Sequence, residues 1–269
     1  MSEGALKIAM HGADGRMGRA IIRAIAESTD LVLVAAIDHG REALGADAGE
    51  RAGVGKLGVS ITKDTSAIVA ADAVIEFSHR NATRGIAEAC ARIGKPLVVG
   101  TTGLGADAIA ALDALAATQR VVLAPNTSVG VTVLFHLARE AARLLGDEFD
   151  AEIIEVHHDK KVDAPSGTAL RLAEAVAEGK SLDASAYVHG RSGMVGARPK
   201  KEIGIHAVRA GDVIGEHTLL LAGPAERIEL VHRAHDRTLF ARGALRAARW
   251  VAALGPPGRY DMRAVLGLK

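Results

Sequence analysis

The first 126 residues alternate short apolar runs with stretches of helical periodicity. Residues 31–37 (LVLVAAI) are apolar without a break, which is typical of a strand covered on both faces. Residues 7–11 (KIAMH) also predict a buried strand, and residues 16–28 between the two strands place apolar side chains along one helix face. A strand, a helix and a second strand within about 30 residues predict a βαβ unit.

The same succession continues along the chain. Further strands are predicted at 72–77, 96–100 and 121–125, with helices at 81–93 and 105–118, and a glycine-rich, loop-rich connection at 40–60. The repeated βα pattern predicts an α/β fold with a Rossmann-type parallel-sheet domain. We expect this dinucleotide-binding domain to span residues 1–126.

The pattern changes after residue 126. Helices are predicted at 128–145 and 167–178, strands at 151–158, 204–211, 215–223 and 227–234, and a long loop at 180–200. The last three strands interleave polar and apolar residues, which predicts a second α+β domain built on a mixed sheet. We expect this substrate-binding and oligomerisation domain to span 127–238, and residues 239–269, with a helix ending before Gly255-Pro256-Pro257, to pack back on the first domain.

Composition narrows the class of protein. The chain has 269 residues, 49% of them hydrophobic, and 33 Lys and Arg against 32 Asp and Glu. A net charge of +1 favours neither a nucleic-acid partner nor a membrane-surface partner. Cys90 is the only cysteine and lies in an alanine-rich helical stretch, which predicts a buried thiol and a reducing compartment. The sequence lacks the pattern of a signal peptide, so we expect a cytoplasmic protein.

A glycine-rich turn follows the first predicted strand. In HGADGRMGR, Gly12, Gly15 and Gly18 lie between that strand and the first helix. Glycines there allow a phosphate to approach the backbone, and the helix N-terminus offers free N–H groups. This context favours dinucleotide binding, although an ordinary tight turn has the same pattern. A nucleoside triphosphate P-loop is disfavoured because no Gly-Lys-Ser/Thr follows.

Asp38 ends the second predicted strand, where an acidic residue hydrogen-bonds the adenosine ribose. A carboxylate there favours NADH, whereas His39 and Arg41 offset its repulsion of a 2′-phosphate, so we expect NADH or NADPH to bind. The loops GTTG (100–103) and APNTS (124–128) end two further strands of the same sheet and are expected to border the nicotinamide. Either loop is alternatively a structural turn.

The segment EVHHDKKVDAPSGTAL (155–170) contains two histidines and two lysines within five positions, followed by the predicted start of a helix. The helix N-terminus after Pro165 suits a carboxylate, and the nearby bases supply protons and positive charge. Two other interpretations stay open. One is a metal site on His157, His158 and Asp159, although neighbouring strand residues point to opposite faces. The other is a solvated loop in which Ser166 or Thr168 only caps the helix.

Together these motifs resemble the 4-hydroxy-tetrahydrodipicolinate reductase (dihydrodipicolinate reductase) family. The motifs are GADGRMG, GTTG, APNTSVGV, EVHHDKKVDAPSGTA and VRAGDVIGEHT, in the family's order between residue 12 and about residue 218. The resemblance implies NAD(P)H-dependent reduction of (2S,4S)-4-hydroxy-2,3,4,5-tetrahydrodipicolinate, through its dehydrated form, to (S)-2,3,4,5-tetrahydrodipicolinate in lysine and diaminopimelate biosynthesis. It also implies a small dicarboxylate substrate and a homotetramer joined through the sheets of the second domain.

The resemblance assigns roles residue by residue. His157 matches the proton donor and acceptor, Lys161 the second catalytic residue, and His158, Gly167 and Thr168 the substrate-binding positions. The cofactor positions are Gly12, Ala13, Asp14, Gly15, Arg16, Met17, Asp38, His39, Gly100, Thr101, Thr102, Ala124, Pro125, Asn126 and Thr127. Some members carry Glu-Arg where this chain has Asp38-His39, and a Thr-Arg pair near Ser78-His79-Arg80, so the preference between NADH and NADPH is not transferred.

Other functions stay open at this point. One alternative is another two-domain dehydrogenase of amino-acid metabolism, which the HHDKKVDAPSGT segment disfavours. The other is a redox-sensing dinucleotide-binding protein, which normally carries a basic DNA-reading helix that is not found here. We expect the two domains to close round the substrate about hinges at 126–130 and 237–242. No role is assigned to Glu216, His217, His232 or His235.

Overall fold

The computed structural model describes residues 4–268, which form two compact units. The first unit runs through residue 129 and resumes at residue 238, and the second comprises residues 130–237. No helix within residues 4–268 is both long enough and apolar enough to cross a bilayer.

The first unit is built on a parallel seven-stranded sheet flanked by helices. Its strands are β1 (Leu6–His11), β2 (Leu31–Ile37), β3 (Ile61–Thr62), β4 (Ala73–Glu76), β5 (Leu97–Val99), β6 (Arg120–Leu123) and β12 (Gly258–Tyr260). Its helices are α1 (Arg16–Ala26), α2 (Ala48–Ala52), α3 (Thr83–Ile93), α4 (Ala106–Ala116), α7 (Thr238–Ala252) and α8 (Met262–Leu266), with a 3₁₀ helix at Thr65–Ala70. The strand order is β12-β6-β5-β4-β1-β2-β3.

The sheet is apolar on both faces because helices cover both. Ile8 and Met10 of β1 face one core, which also contains side chains of α1 and α7. Ala9 of β1 and Val74 of β4 face a second core with side chains of α3 and α4. The unbroken apolar runs of the sequence are the consequence of this two-sided burial. Cys90, in α3, is fully buried in the second core.

The second unit contains a five-stranded mixed sheet with the order β11-β10-β7-β9-β8. Its strands are β7 (Asp150–His157), β8 (Tyr187–His189), β9 (Ile203–Arg209), β10 (Glu216–Ala222) and β11 (Arg227–Arg233). Its helices are α5 (Val129–Leu145) and α6 (Gly167–Lys180), with 3₁₀ helices at Gly146–Glu148 and Ala184–Ala186. Strand β7 pairs antiparallel with β10 and parallel with β9. The predicted fold class, a Rossmann-type sheet with a second mixed sheet, is confirmed.

Several short elements differ from the sequence expectation. The predicted long loop at 180–200 was wrong in part, because β8 lies within it and extends the sheet beside β9. Strand β12 and helix α8 follow the Gly-Pro-Pro stop, and β12 pairs with β6 at the sheet edge. Strands β3, β8 and β12 have only two or three residues, too few for periodicity to reveal.

Helix α7 lies very close to the loop that follows β6. The Thr127 hydroxyl donates to the Phe240 carbonyl oxygen over 2.7 Å. One turn further along α7, a Cβ on Gly243 would overlap the Thr127 carbonyl oxygen. Glycine at position 243 therefore lets the helix backbone reach the loop.

Replacing Gly243 with Ala tests this contact. Alanine improves helix propensity by about 1 kcal/mol, whereas overpacking costs about 1–3 kcal/mol. Because the overlapped atom is a backbone oxygen, we expect the upper part of that range and a fall in the net free energy of unfolding. We expect the melting temperature, followed by circular dichroism, to drop by at least about 2 °C. Gly85→Ala is the matched control, because Gly85 is exposed in α3 with no atom near its Cβ position. An equal or higher melting temperature for Gly243→Ala would show that the contact is not tight.

Candidate active site

A cavity of about 750 Å³ opens at the carboxyl ends of β1, β2, β4 and β5 in the first unit. Ligands of open parallel sheets bind at this end of the strands. The lining residues are His11, Gly12, Asp14, Gly15, Arg16, Met17, Asp38, His39, Phe77, Ser78, His79, Arg80, Ala82, Gly100, Thr101 and Thr102.

The glycine-rich turn forms one wall of this cavity. Gly12 has φ +82°, and a Cβ there would overlap the Phe77 carbonyl oxygen. A Cβ on Gly18 would overlap the Gly12 carbonyl oxygen, so the turn and the first turn of α1 pack backbone against backbone. Helix α1 begins at Arg16 behind an N-cap, Gly15, that has no side chain to cap it. Its first N–H groups are therefore available to an anion.

Asp14 and Asp38 hold the turn in place. The Asp38 carboxylate accepts hydrogen bonds from the backbone N–H groups of Asp14 and Gly40, each over 2.9 Å. Asp14 forms ion pairs with Arg19 at 2.8 Å and Arg51 at 2.7 Å. The hydrogen bond from Arg51 is the main reason that the pKa of Asp14 lies below its ordinary value. The turn is thus braced from β2 and from α2.

A buried carboxylate lies beneath the cavity. Glu76, the last residue of β4, is fully buried and accepts hydrogen bonds from the hydroxyls of Ser78, Thr83 and Thr101. The Nδ1 atom of His11 lies 3.4 Å from Glu76 Oε1. Burial raises the pKa of Glu76, but the nearby His11 imidazole and the hydrogen bonds from Ser78 and Thr101 outweigh it and keep that pKa below the ordinary value. This network links the loops after β4 and β5.

The expected cofactor positions divide into two groups. Ten of them line the cavity: Gly12, Asp14, Gly15, Arg16, Met17, Asp38, His39, Gly100, Thr101 and Thr102. Ala13 is buried, and Ala124, Pro125, Asn126 and Thr127 lie outside the lining, with Thr127 bonded to α7. Sequence reasoning did not assign His11, Phe77, Ser78, His79, Arg80 or Ala82 to the site, although Ser78, His79 and Arg80 stood out as a departure from the family pattern.

The cavity suits a dinucleotide. Its volume, the glycine turn at a helix N-terminus and the ribose-side carboxylate of Asp38 are the features of such a site. Arg16 is exposed at the start of α1, and among residues 4–268 its side chain has no hydrogen-bond or ion-pair partner, whereas the side chains of Arg19 and Arg51 are bound by Asp14. The Arg16 guanidinium is therefore available to a phosphate.

The second unit has its own polar site, on the inner face of its sheet. The inward residues of β7 are Ala151, Ile153, Glu155 and His157. The first two belong to the apolar core with α5 and α6, and the last two continue the same stripe with ionisable groups. In the register of the sheet, His217 of β10 lies opposite Glu155, and Arg209 of β9 lies opposite His157.

Glu155 is the centre of this cluster. Its Oε2 lies 2.5 Å from His157 Nδ1, and the Arg209 guanidinium contacts both carboxylate oxygens at 2.8 and 2.9 Å. The backbone N–H of Ser166 donates to Oε1 over 3.0 Å. Burial raises the pKa of Glu155, but the bonds from Arg209, His157 and Ser166 lower it below the ordinary value. Glu155 therefore stays ionised although it is fully buried.

The histidines of the cluster are held neutral. Burial lowers the pKa of His157, the Glu155 carboxylate opposes this shift, and the charges of Lys161 and Arg209 add to it. Burial and the neighbouring His157 lower the pKa of His217 to about 4. The two rings meet edge to face with centroids 5.2 Å apart. An uncharged His157 at neutral pH can exchange a proton with a bound molecule.

The start of α6 lies against this cluster. Ser166 is the N-cap, and its hydroxyl accepts from the Ala169 N–H and lies 3.2 Å from His217 Nε2. Ser166 therefore caps α6, as one of the sequence interpretations expected. Gly167 is exposed and Thr168 is half-buried in the first turn of α6. Backbone N–H groups at a helix start bind carboxylates.

Lys161 and His158 lie in the turn after β7. The Lys161 ammonium is paired with Asp163 at 2.7 Å, and its backbone N–H donates to the His158 carbonyl oxygen over 3.2 Å. His158 is half-buried. Within residues 4–268, no group of three or more His, Cys, Asp or Glu is arranged to hold a metal ion.

The four residues without an assigned role fall into different places. His217 belongs to the cluster, and His232 lies opposite it on β11. Glu216 is ion-paired with Arg233 at 3.1 Å, and His235 is exposed after β11.

Comparison with known proteins accounts for both units. Residues 6–127 match the family described as dihydrodipicolinate reductase, N-terminus, and residues 130–266 match dihydrodipicolinate reductase, C-terminus. The 4-hydroxy-tetrahydrodipicolinate reductase of Alkalilimnicola ehrlichii is 53% identical over 266 residues, covering 97% of this chain and 99% of that protein. The protein of the same name from Halorhodospira halophila is 52% identical and covers 98% and 99%.

A solved structure supports the fold. The dipicolinate-bound dihydrodipicolinate reductase from Paenisporosarcina sp. TG-14 superposes with a TM-score of 0.76 at 23% identity, covering 96% of this chain and 97% of that chain. The resemblance seen in the sequence motifs is thereby confirmed over nearly the whole length. The chain belongs to the dihydrodipicolinate reductase family.

Proposed function

We propose that this chain is a 4-hydroxy-tetrahydrodipicolinate reductase. It reduces (2S,4S)-4-hydroxy-2,3,4,5-tetrahydrodipicolinate, through its dehydrated form, to (S)-2,3,4,5-tetrahydrodipicolinate with NADH or NADPH, in lysine and diaminopimelate biosynthesis. The proposal rests mainly on the buried Glu155 carboxylate, which contacts both the His157 imidazole and the backbone N–H of Ser166 at the start of α6. A proton-exchanging imidazole beside a carboxylate-binding helix start suits a substrate with two carboxylates.

In this proposal the first unit binds the cofactor. Bound NADH or NADPH supplies the hydride. The turn at Gly12 and the N-terminus of α1 hold the pyrophosphate, with Arg16 as its charge partner. Asp38 accepts the ribose hydroxyls, and His39 faces the same end of the cavity. Thr101 and Thr102 border the nicotinamide end, where Glu76 orients the Thr101 hydroxyl.

The second unit binds the substrate and moves the proton. The first N–H groups of α6 at Gly167 and the Thr168 hydroxyl bind one carboxylate, and His158 supports this binding. Hydride reduction is completed by one proton, which is supplied either by the Lys161 ammonium or by His157 through the nitrogen that Glu155 does not contact. The start of α6 binds the anionic substrate by hydrogen bonds rather than by net positive charge, because Lys161 is paired with Asp163 and Arg209 with Glu155.

We also propose that residues 1–126 and 239–269 form the cofactor-binding domain and residues 127–238 the substrate-binding and oligomerisation domain of a cytoplasmic homotetramer. The outer face of the five-stranded sheet supports assembly through this domain. Ile154, Val208 and Val231 are 38%, 42% and 40% exposed on that face, on strands β7, β9 and β11. Sedimentation velocity measures the assembly, and a monomer at micromolar concentration would contradict it.

The turn at Gly12 is expected to determine the affinity for the cofactor. Gly12→Ala places a Cβ against the Phe77 carbonyl at φ +82° and displaces the turn, so we expect NADH affinity to fall at least about tenfold. Quenching of tryptophan fluorescence, or NADH fluorescence on binding, measures the dissociation constant. Gly58→Ala is the matched control, because Gly58 has φ +77° but an open Cβ position away from the cavity. Equal NADH affinities of the two variants would show that the turn at Gly12 does not bind the cofactor.

His157 and Lys161 are expected to be required for proton transfer. His157→Gln and Lys161→Ala should each reduce kcat by about 10²–10⁴-fold, because each removes an acid–base group. NADH affinity should stay unchanged, since both residues lie in the other unit. Lys160→Ala, at the exposed neighbouring position, is the control and should keep full activity. If either variant kept the wild-type kcat, the replaced residue would not take part in proton transfer.

The activity itself is tested by NADH and NADPH oxidation at 340 nm with enzymatically generated substrate. Turnover with this substrate, together with formation of tetrahydrodipicolinate, is the expected result. Cofactor binding without turnover would favour a redox-sensing protein. Turnover of aspartate or homoserine derivatives instead would favour another amino-acid dehydrogenase.

A further inference from the structure

We infer that Glu155 is a positioning residue for His157: its carboxylate holds the imidazole as the tautomer protonated on Nδ1 and so makes Nε2 the nitrogen that meets the substrate. The inference rests on the proposed function of His157. Nothing in the family resemblance assigns a role to Glu155 or Arg209.

The bonds around Glu155 determine the tautomer. An ionised carboxylate only accepts hydrogen bonds, so the proton between Glu155 Oε2 and His157 Nδ1 belongs to the imidazole. The neutral ring carries one proton, and Nε2 is therefore left with a lone pair. Arg209 and the Ser166 N–H hold the carboxylate from its other sides, which fixes both its position and its charge.

Space is kept clear on the opposite side of the ring. A Cβ on Gly215 would lie 3.0 Å from His157 Nε2 and 3.3 Å from Cδ2. Gly215 has no left-handed φ, so open space beside Nε2 is what glycine provides at this position. The imidazole is thus held at Nδ1, and glycine at position 215 leaves the space beside Nε2 free of a side chain, as a group that exchanges protons with a ligand requires.

The charged groups round His157 set the direction of a titration test. Arg209 faces it from β9, His217 from β10, and Lys161 and Asp163 from the turn after β7. His232 lies one strand further, opposite His217. Glu155 is the fully buried anion that opposes Lys161 and Arg209. Removing its charge therefore lowers the pKa of His157 further.

The test is Glu155→Gln, read by ¹⁵N NMR of the histidine rings as well as by kinetics. The glutamine amide can offer either an oxygen or an N–H to Nδ1, so we expect a mixture of His157 tautomers. We expect the pKa of His157 to fall by about one pH unit and kcat to fall about 10²-fold, with KM little changed. A purely structural carboxylate would leave the tautomer and the pH profile unchanged.

Glu152→Gln is the matched control on the same strand. Glu152 is also bound by two arginines, Arg191 at 2.9 Å and Arg198 at 2.7 Å, and by His206 at 2.7 Å. It lies on the other face of β7 and does not contact His157. We expect this variant to keep the wild-type His157 spectrum and kcat.

Glu155→Asp keeps the experiment informative if the glutamine variant loses its fold. Aspartate retains the charge that pairs with Arg209, so we expect a His157 spectrum closer to wild type and partial recovery of kcat. An unchanged Nδ1-protonated ring and unchanged kcat in a folded Glu155→Gln protein would overturn the inference. If instead the wild type has no reductase activity but Glu155→Gln shifts the His157 tautomer, the proposed function fails and the positioning role stands.

Discussion

A carboxylate enclosed by protein must find its counter-charge and hydrogen bonds within the fold, because the cost of burying it alone is several kcal/mol or more. Glu155 meets this requirement with Arg209, the Ser166 N–H and His157. These partners come from β9, the start of α6 and β7 itself. The demands of one buried charge therefore bring together a cation, a helix N-terminus and an imidazole, which are the components of the site.

The first unit uses the same physical device at its own site. Glu76 ends β4 beneath the cavity and gathers hydroxyls from two loops and the imidazole of His11. In both units the buried positions of a central strand are apolar until the carboxyl end, where they carry ionisable side chains. The cores thus position the strands, and the buried carboxylates orient the polar groups at their ends.

The sequence predicted the long elements and the cavity wall, because periodicity and the glycine turn are local signals. It did not predict Arg209 as the partner of Glu155, since the two are 54 positions apart and meet only through the pairing of β7 with β9. A local signal did exist for Glu155: it occupies a buried position in an alternating strand, followed two residues later by His157. The short edge strands were missed because two or three residues carry no periodicity. The bond from the Thr127 hydroxyl to α7 was not predicted either, because that helix is more than 100 residues away in sequence.

The central claim is that a fully buried Glu155 stays ionised because Arg209, Ser166 and His157 satisfy it. A pH titration of ¹³C-labelled glutamate side chains measures this directly, with Glu155→Gln identifying the resonance. We expect the ¹³C chemical shift of Glu155 to be that of an ionised carboxylate from neutral pH down to about pH 4.3, where exposed glutamates are half protonated. A protonated Glu155 carboxyl at neutral pH would contradict this claim, because the proton between Glu155 and His157 would then be bonded to the carboxyl oxygen and not to Nδ1.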